Sequence, residues 1–203
     1  MRKTVFFDIG NVLLFFSHEK MCHNLAELLE LPFEGIWNTF FEKRHFALEF
    51  EKGNLSVNHL FRMLLPPHRQ AEPLDLHALL FAVANIFQPN QEIFPIVEKL
   101  KGKGVQLILL SNTSEPHFNF AYSSYPVFQL FDDKVLSYEE NLIKPDKKIF
   151  YKALQKAQTP SSECFYIDDL KENILSARRL GIFSHQYKDI PSLEKALIAK
   201  NFL

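Results

Sequence analysis

Two kinds of apolar pattern run along the chain. Thr4-Val5-Phe6-Phe7-Asp8 is a short continuous apolar run that ends on a charge. Val105-Gln106-Leu107-Ile108-Leu109-Leu110-Ser111-Asn112 and Cys164-Phe165-Tyr166-Ile167-Asp168-Asp169 repeat that form. Runs of this kind suit strands buried on both faces of a parallel sheet. Helical spacing separates them. Residues 91–101 carry Ile93, Ile96, Val97 and Leu100 on one stripe. Pro145-Asp146 is expected to open a helix through Phe150, Ala153 and Leu154, with the proline in its first turn. A further helix is expected from about Leu170 to Leu180, with Gly181 as its C′ residue. A short strand over 182–187 and a last helix from Pro191 complete the chain. Strands alternating with helices predict the α/β class, with a doubly wound parallel sheet and a Rossmann-like core.

Residues 17 to 87 break the alternation. They hold helical patterns over Glu19–Leu31, Phe33–Phe41, Ser56–Leu65 and Leu76–Phe87, with Ser56 as an N-cap, and no convincing strand. The expected organisation is a core of residues 1–16 and 88–203 with an α-helical cap, 17–87, inserted over the crevice.

Composition narrows the function classes. Lys+Arg at 23 against Asp+Glu at 24 gives no electrostatic reason to expect nucleic acid or a membrane surface as partner. A 47% hydrophobic content excludes a disordered chain, and Phe supplies 21 residues for an apolar core. Arg2 and Lys3 precede an apolar run, but Asp8 and Asn11 interrupt it before any cleavage site, and no stretch reaches the ~18 apolar residues of a membrane span. Cys22 and Cys164 stand far apart, outside metal spacing, and read as two buried thiols in a reducing compartment. A cytoplasmic location is expected.

The strand ends carry the chemistry. In open α/β sheets ligands bind outside the carboxyl ends of the strands. A carboxylate there, Asp8, can act as a nucleophile, although an Asp after a strand is also an ordinary turn residue. Ser111-Asn112-Thr113 offers a hydroxyl, an amide and backbone N–H groups for phosphoryl oxygens, yet is also common loop composition. Lys144 can neutralise a phosphate and keep Asp8 ionised, or simply be a solvated lysine. Asp168 and Asp169 repel each other unless a cation compensates, which suits Mg²⁺ held through a few carboxylates; an N-cap pair for the following helix is the alternative.

Taken together and in this order, these stretches resemble the haloacid dehalogenase superfamily of phosphohydrolases. They are Phe6-Phe7-Asp8-Ile9-Gly10-Asn11-Val12-Leu13, Leu109-Leu110-Ser111-Asn112, Lys144-Pro145-Asp146 and Tyr166-Ile167-Asp168-Asp169-Leu170-Lys171-Glu172-Asn173. Phe50-Glu51-Lys52-Gly53-Asn54 and Ser137-Tyr138-Glu139 are further family-like phrases. The resemblance implies that Asp8 attacks phosphorus and that Asp8, the Gly10 carbonyl and Asp169 hold Mg²⁺, with Asp168 acting through water or on Lys144. It also implies that Ser111 and the Asn112 amide bind phosphoryl oxygens, that Lys144 bridges Asp8, Asp169 and substrate, and that Asn173 supports the site. The implied substrate is a small phosphorylated metabolite.

One position departs from the family pattern. Phosphatases of this kind carry a second Asp two residues after the nucleophile as general acid and base, and here that position is Gly10. A backbone carbonyl still reaches a metal, but the proton shuttle, worth about 10²–10⁴-fold, is gone. The Asp-Ile-Gly-Asn variant resembles a bacterial subgroup that includes phosphatases of glucose 1-phosphate, whose anomeric oxygen leaves readily. Replacement donors would come from His18, His45, Glu49 or Glu51, and Arg44, Lys52 and Arg62 are basic residues for an anionic substrate. Two rival readings stand beside the phosphatase: a haloacid dehalogenase, which would have no use for Asp168-Asp169, and a protein that binds a phosphorylated ligand with negligible turnover.

Overall fold

A computed structural model of the chain describes residues 2–42, 45–71 and 73–203. In chain order the strands are β1 (Thr4–Phe7), β2 (Leu14–Phe16), β3 (Phe87–Pro89), β4 (Gln106–Ser111), β5 (Asp133–Leu136), β6 (Cys164–Asp168) and β7 (Phe183–Gln186). The helices are α1 (His18–Leu29), α2 (Phe33–Trp37), α3 (His45–Glu51), α4 (Val57–Leu64), α5 (Leu76–Ala84), α6 (Phe94–Gly102), α7 (Glu115–Ser124), α8 (Ser137–Glu140), α9 (Lys147–Ala157), α10 (Lys171–Arg178) and α11 (Ile190–Ala199).

Five strands form one parallel sheet in the order β5-β4-β1-β6-β7. Successive strand residues face opposite sides, so each apolar run feeds two cores. Val5, Phe7, Leu107, Leu109, Phe165 and Ile167 pack with Ile96 and Val97 of α6 and Leu193 and Leu197 of α11. Phe6, Ile108, Leu110 and Tyr166 pack on the other face with Ile149 and Phe150 of α9 and Ile174 of α10. That is the doubly wound α/β architecture expected from the continuous apolar runs.

The strand order sets the site. β1 pairs with β4 on one side and β6 on the other, with Phe7 opposite both Leu109 and Ile167. The chain extends outward from β1 through β4 to β5, then returns across to β6 and β7. The carboxyl ends of β4, β1 and β6 therefore meet at the point where the winding reverses, which is where α/β sheets bind ligands.

A third apolar cluster contains Met21, Leu25, Ile36, Phe61 and Val83 from α1, α2, α4 and α5. Ser17, Ser56 and Asp75 cap α1, α4 and α5 by accepting backbone N–H groups from Lys20, His59 and Ala78. The chain enters this segment through β2 and leaves through β3, which pair antiparallel with Phe16 opposite Phe87.

Several elements differ from the expectation. β2, β3 and β5 were not foreseen. β5 holds two buried apolar residues behind a polar half and lies at the sheet edge, and β2 and β3 are three residues each, stabilised by pairing with one another. The helix expected over 76–87 stops at Ala84 because Phe87 is drawn into β3. The one expected over 33–41 is α-helical only to Trp37 and continues as a π turn over Asn38–Glu42. α6 begins at Phe94, not at 91, and α10 spans only Lys171–Arg178. Pro145 is outside α9, whose N-cap is Asp146, because its carboxylate accepts the Lys148 N–H. Asp168 and Asp169 do not form an N-cap pair: the N-cap of α10 is Leu170, without a side-chain cap.

Candidate active site

The buried apolar register of β1 delivers Asp8 to the strand end, where its backbone N–H bonds the Ile167 carbonyl at 3.0 Å. One carboxylate oxygen, Oδ1, collects three donors. Ile9 N–H donates at 2.7 Å, the Ser111 hydroxyl from β4 at 2.8 Å, and the Lys144 ammonium lies 2.8 Å away. Lys144 is 4% exposed and bonds Asp168 Oδ2, also at 2.8 Å, so a single cation bridges two buried carboxylates.

Asn112 holds that lysine in place. Its side-chain oxygen accepts the Lys144 N–H at 2.8 Å, and its side-chain amide donates to the Lys144 carbonyl at 3.1 Å. The Asn112 side chain is thereby committed to the backbone of Lys144.

The tandem aspartates are unequal. Asp168 is completely buried and its oxygens take bonds from Lys144, the Tyr166 hydroxyl, the Leu170 N–H and both ways from the Asn173 amide. Asp169 is half-buried and accepts one side-chain bond, from Asn11 at 3.1 Å, while its carbonyl accepts from Gln186. One oxygen each of Asp8, Asp168 and Asp169 lies within 4.8 Å of the others.

Burial dominates the electrostatics. It pushes the Asp8 carboxyl up to about 7; Lys144 opposes that and Asp168 adds to it. At Asp168 the same burial is outweighed by Lys144, Tyr166 and Leu170, which hold it below the ordinary carboxylate range. Asp169 is raised by burial and by the charge of Asp168. Lys144 is also buried, yet its two carboxylate partners win and raise it. Three carboxylates against one ammonium leave an excess of negative charge in a poorly solvated pocket. A hard divalent cation bound through carboxylate oxygens answers that excess, and the donor set is of the right kind.

Above the strand ends a small cavity of about 50 Å³ is lined by Gly10, Ser111, Asn112 and Thr113 from the sheet side and by Phe16, His18, Glu51 and Phe87 opposite. It adjoins a second of about 20 Å³, walled by Met21, Phe40, Phe41 and Phe50. A larger cavity of about 730 Å³, bounded by residues 53–58, α5 and the start of α7, contains none of the strand-end residues.

Of the proposed donors and basic residues, His18 and Glu51 reach the cavity. Glu49 and Lys52 pair with each other at 3.4 Å, and Arg62 donates to the Gln70 carbonyl. Arg44 and the His45 side chain lie outside the described residues. His117 was not foreseen. Its ring bonds Ser114 Oγ at 2.9 Å and the Val83 carbonyl at 3.2 Å, and burial lowers it to about 4, leaving it neutral. The Ser114-to-His117 spacing on one helical turn is its sole signal in the sequence, and that is too common to single it out. Cys22 and Cys164 are buried free thiols.

The parallel α/β sheet thus carries, at its switch point, an aspartate bridged by lysine to one of a tandem aspartate pair, the arrangement of a hydrolase site. The chain belongs to the haloacid dehalogenase-like hydrolases, matching that family over residues 2–181. It is 23% identical over 185 residues to a sesquiterpene phosphatase of Aspergillus oryzae, covering 89% of this chain and 87% of that protein. Among solved structures it is similar to a HAD family enzyme of Bacteroides thetaiotaomicron in complex with magnesium and inorganic phosphate (TM-score 0.76, 23% identity, 93% of this chain and 95% of that one). It is also similar to a 2-haloacid dehalogenase of Pseudomonas syringae (TM-score 0.71, 17% identity, 98% and 99%). No helix among the described residues is long and apolar enough to cross a membrane.

Proposed function

We propose that this hydrolase cleaves phosphomonoesters of small metabolites by transferring the phosphoryl group to Asp8, with Mg²⁺ as cofactor. The carrying observation is the convergence of the Ser111 hydroxyl and the Lys144 ammonium on one oxygen of Asp8, each at 2.8 Å. These bonds orient the carboxylate, leave its other oxygen for attack, and place two donors where phosphoryl oxygens arrive. Lys144 neutralises developing charge while Asp168 holds it; Asn112 fixes its backbone. The residues that would hold the metal are Asp8, Asp169 and the Gly10 carbonyl, with Asp168 engaged on Lys144. When bound, Mg²⁺ supplies positive charge that keeps Asp8 ionised and screens its approach to the anionic ester.

Residues 17–87 are read as a helical cap of the type inserted after the first strand. The Asp-Ile-Gly-Asn sequence supports a place beside glucose-1-phosphatase-like proteins, with a sugar phosphate as substrate. The aromatic wall of Phe16, Phe41, Phe50 and Phe87 favours a second reading, an apolar aryl or allylic leaving group, consistent with the sesquiterpene phosphatase relative.

The test is release of inorganic phosphate from aryl, anomeric and alkyl phosphates with and without Mg²⁺. Wild type is expected to be active only with the metal, and Asp8→Asn to be inactive. Metal-independent release of halide from a 2-haloalkanoic acid would establish the dehalogenase instead, and tight binding of a phosphate ester without turnover in wild type would establish the binding protein.

A further inference from the structure

Gly10 leaves the leaving-group oxygen without its usual proton donor, and a group from the inserted helices stands over the same cavity. α3 ends in Phe50-Glu51, and the turn that follows is docked directly on the sheet side. The Ser137 hydroxyl accepts the Thr113 N–H at 2.9 Å and donates to the Glu51 carbonyl at 2.6 Å. Gly53, two residues on, has φ +74°, and a Cβ there would fall 2.5 Å from the Tyr138 carbonyl oxygen, so only glycine lets this turn lie flat against Ser137-Tyr138. Thr113 follows the Ser111-Asn112 strand end, so one hydroxyl couples the Glu51 backbone to the phosphoryl-binding loop.

Glu51 lines the cavity with Gly10 and Ser111. Among the described residues its carboxyl makes no hydrogen bond or ion pair, unlike Glu49, which is spent on Lys52 and Asn54. The other titratable groups of the cavity are poorly suited. Both ring nitrogens of His117 are engaged, and His18 is packed between the rings of Phe16 and Phe41 at 4.9 and 4.8 Å, where burial lowers its affinity for a proton.

We propose that Glu51 is the general acid and base that replaces the carboxylate missing at position 10. As phosphorus bonds to Asp8 and the ester P–O bond breaks, the Glu51 carboxyl gives its proton to the departing oxygen. The resulting Glu51 carboxylate then takes a proton from the water that attacks phosphorus, the P–O bond to Asp8 breaks, and inorganic phosphate leaves. Burial raises the Glu51 carboxyl above its ordinary value, against the pull of Lys144, which is the direction a general acid needs.

The assignment rests on the phosphatase reading, and the experiment separates the two. Wild type, Glu51→Gln and Glu51→Asp are compared on 4-nitrophenyl phosphate and on an alkyl phosphate with Mg²⁺. For Glu51→Gln, kcat/KM on the alkyl ester is expected to fall about 10²–10³-fold while that on 4-nitrophenyl phosphate, whose leaving group needs no proton, changes less than about threefold. Slow second-step hydrolysis should also give that variant a burst of nitrophenolate, and Glu51→Asp should recover part of the alkyl activity. Retained kcat/KM on the nitrophenyl ester shows that the variant is folded. Equal losses on both esters, or no loss on either, overturns the role of Glu51 while leaving the phosphatase reading intact. A wild type that hydrolyses neither ester overturns both.

Discussion

The Phe16 ring occupies the space that a side chain at Gly10 would enter: a Cβ built on Gly10 falls 2.8 Å from Cε1 of Phe16. Phe16 belongs to β2, whose backbone pairs it opposite Phe87, and its ring packs against His18. The missing carboxylate is therefore not an open vacancy waiting to be refilled.

Gly10→Asp is accordingly expected to gain no activity on alkyl phosphates, although it restores the family pattern. Forcing the ring aside should cost about 1–3 kcal/mol of stability, as overpacking does. Denaturant unfolding and steady-state kinetics check both parts. A variant more active than wild type would show that Phe16 yields freely.

Lys144 lies between Asp8 and Asp168, and among the described residues neither carboxylate has another cation within bonding distance. Lys144→Met should abolish turnover and, by stranding buried charge, destabilise the fold by about 3–5 kcal/mol. Mg²⁺ should return part of that stability in a melting experiment, since a dication can stand in for the ammonium. Melting as high as wild type without metal would contradict the bridging role.

The two bonds between the Asn112 side chain and the backbone of Lys144 make a positional prediction. Asn112→Ala leaves those groups unpaired, at about 1–3 kcal/mol, and should lower kcat more than it raises KM, because the displaced group acts in the transition state. An unchanged kcat would mean that Lys144 is positioned by its carboxylates alone.

His117 yields a pH prediction. Burial lowers it from 6.5 to about 4, helped by His18 and opposed by its bond to Val83. Between those values the unfolded chain holds a proton on this ring that the folded chain does not, so stability decreases as pH falls through that window and the contribution levels off below about 4. Urea midpoints across the window should show the slope, and His117→Gln should flatten it.

The chemistry was legible in the sequence because it lies at the ends of apolar runs. A strand buried on both faces has no latitude in composition, so Asp8, Ser111 and Asp168-Asp169 stand out as polar stops. The helix cap at Ser56 is equally local, being a bond to a backbone group three residues away. Three other strands were hidden for the opposite reason. β5, at a sheet edge, is buried on too little of its surface to need an apolar run, and β2 and β3 exist through pairing across some seventy intervening residues.

Short-range chemistry thus determined which residue types lie at which strand ends, while long-range packing decided how they are used. Both Phe50-Glu51-Lys52-Gly53-Asn54 and Ser137-Tyr138-Glu139 were visible as phrases, but not that Ser137 bonds the Glu51 carbonyl or that Tyr138 lies under Gly53. The division between Asp168, saturated by Lys144, Tyr166 and Asn173, and Asp169, bonded through its side chain to Asn11, is likewise invisible in two identical adjacent letters. Burial and hydrogen-bond partners come from segments far apart in the chain, and they set the charge and reach of a carboxylate more strongly than its neighbours in sequence do.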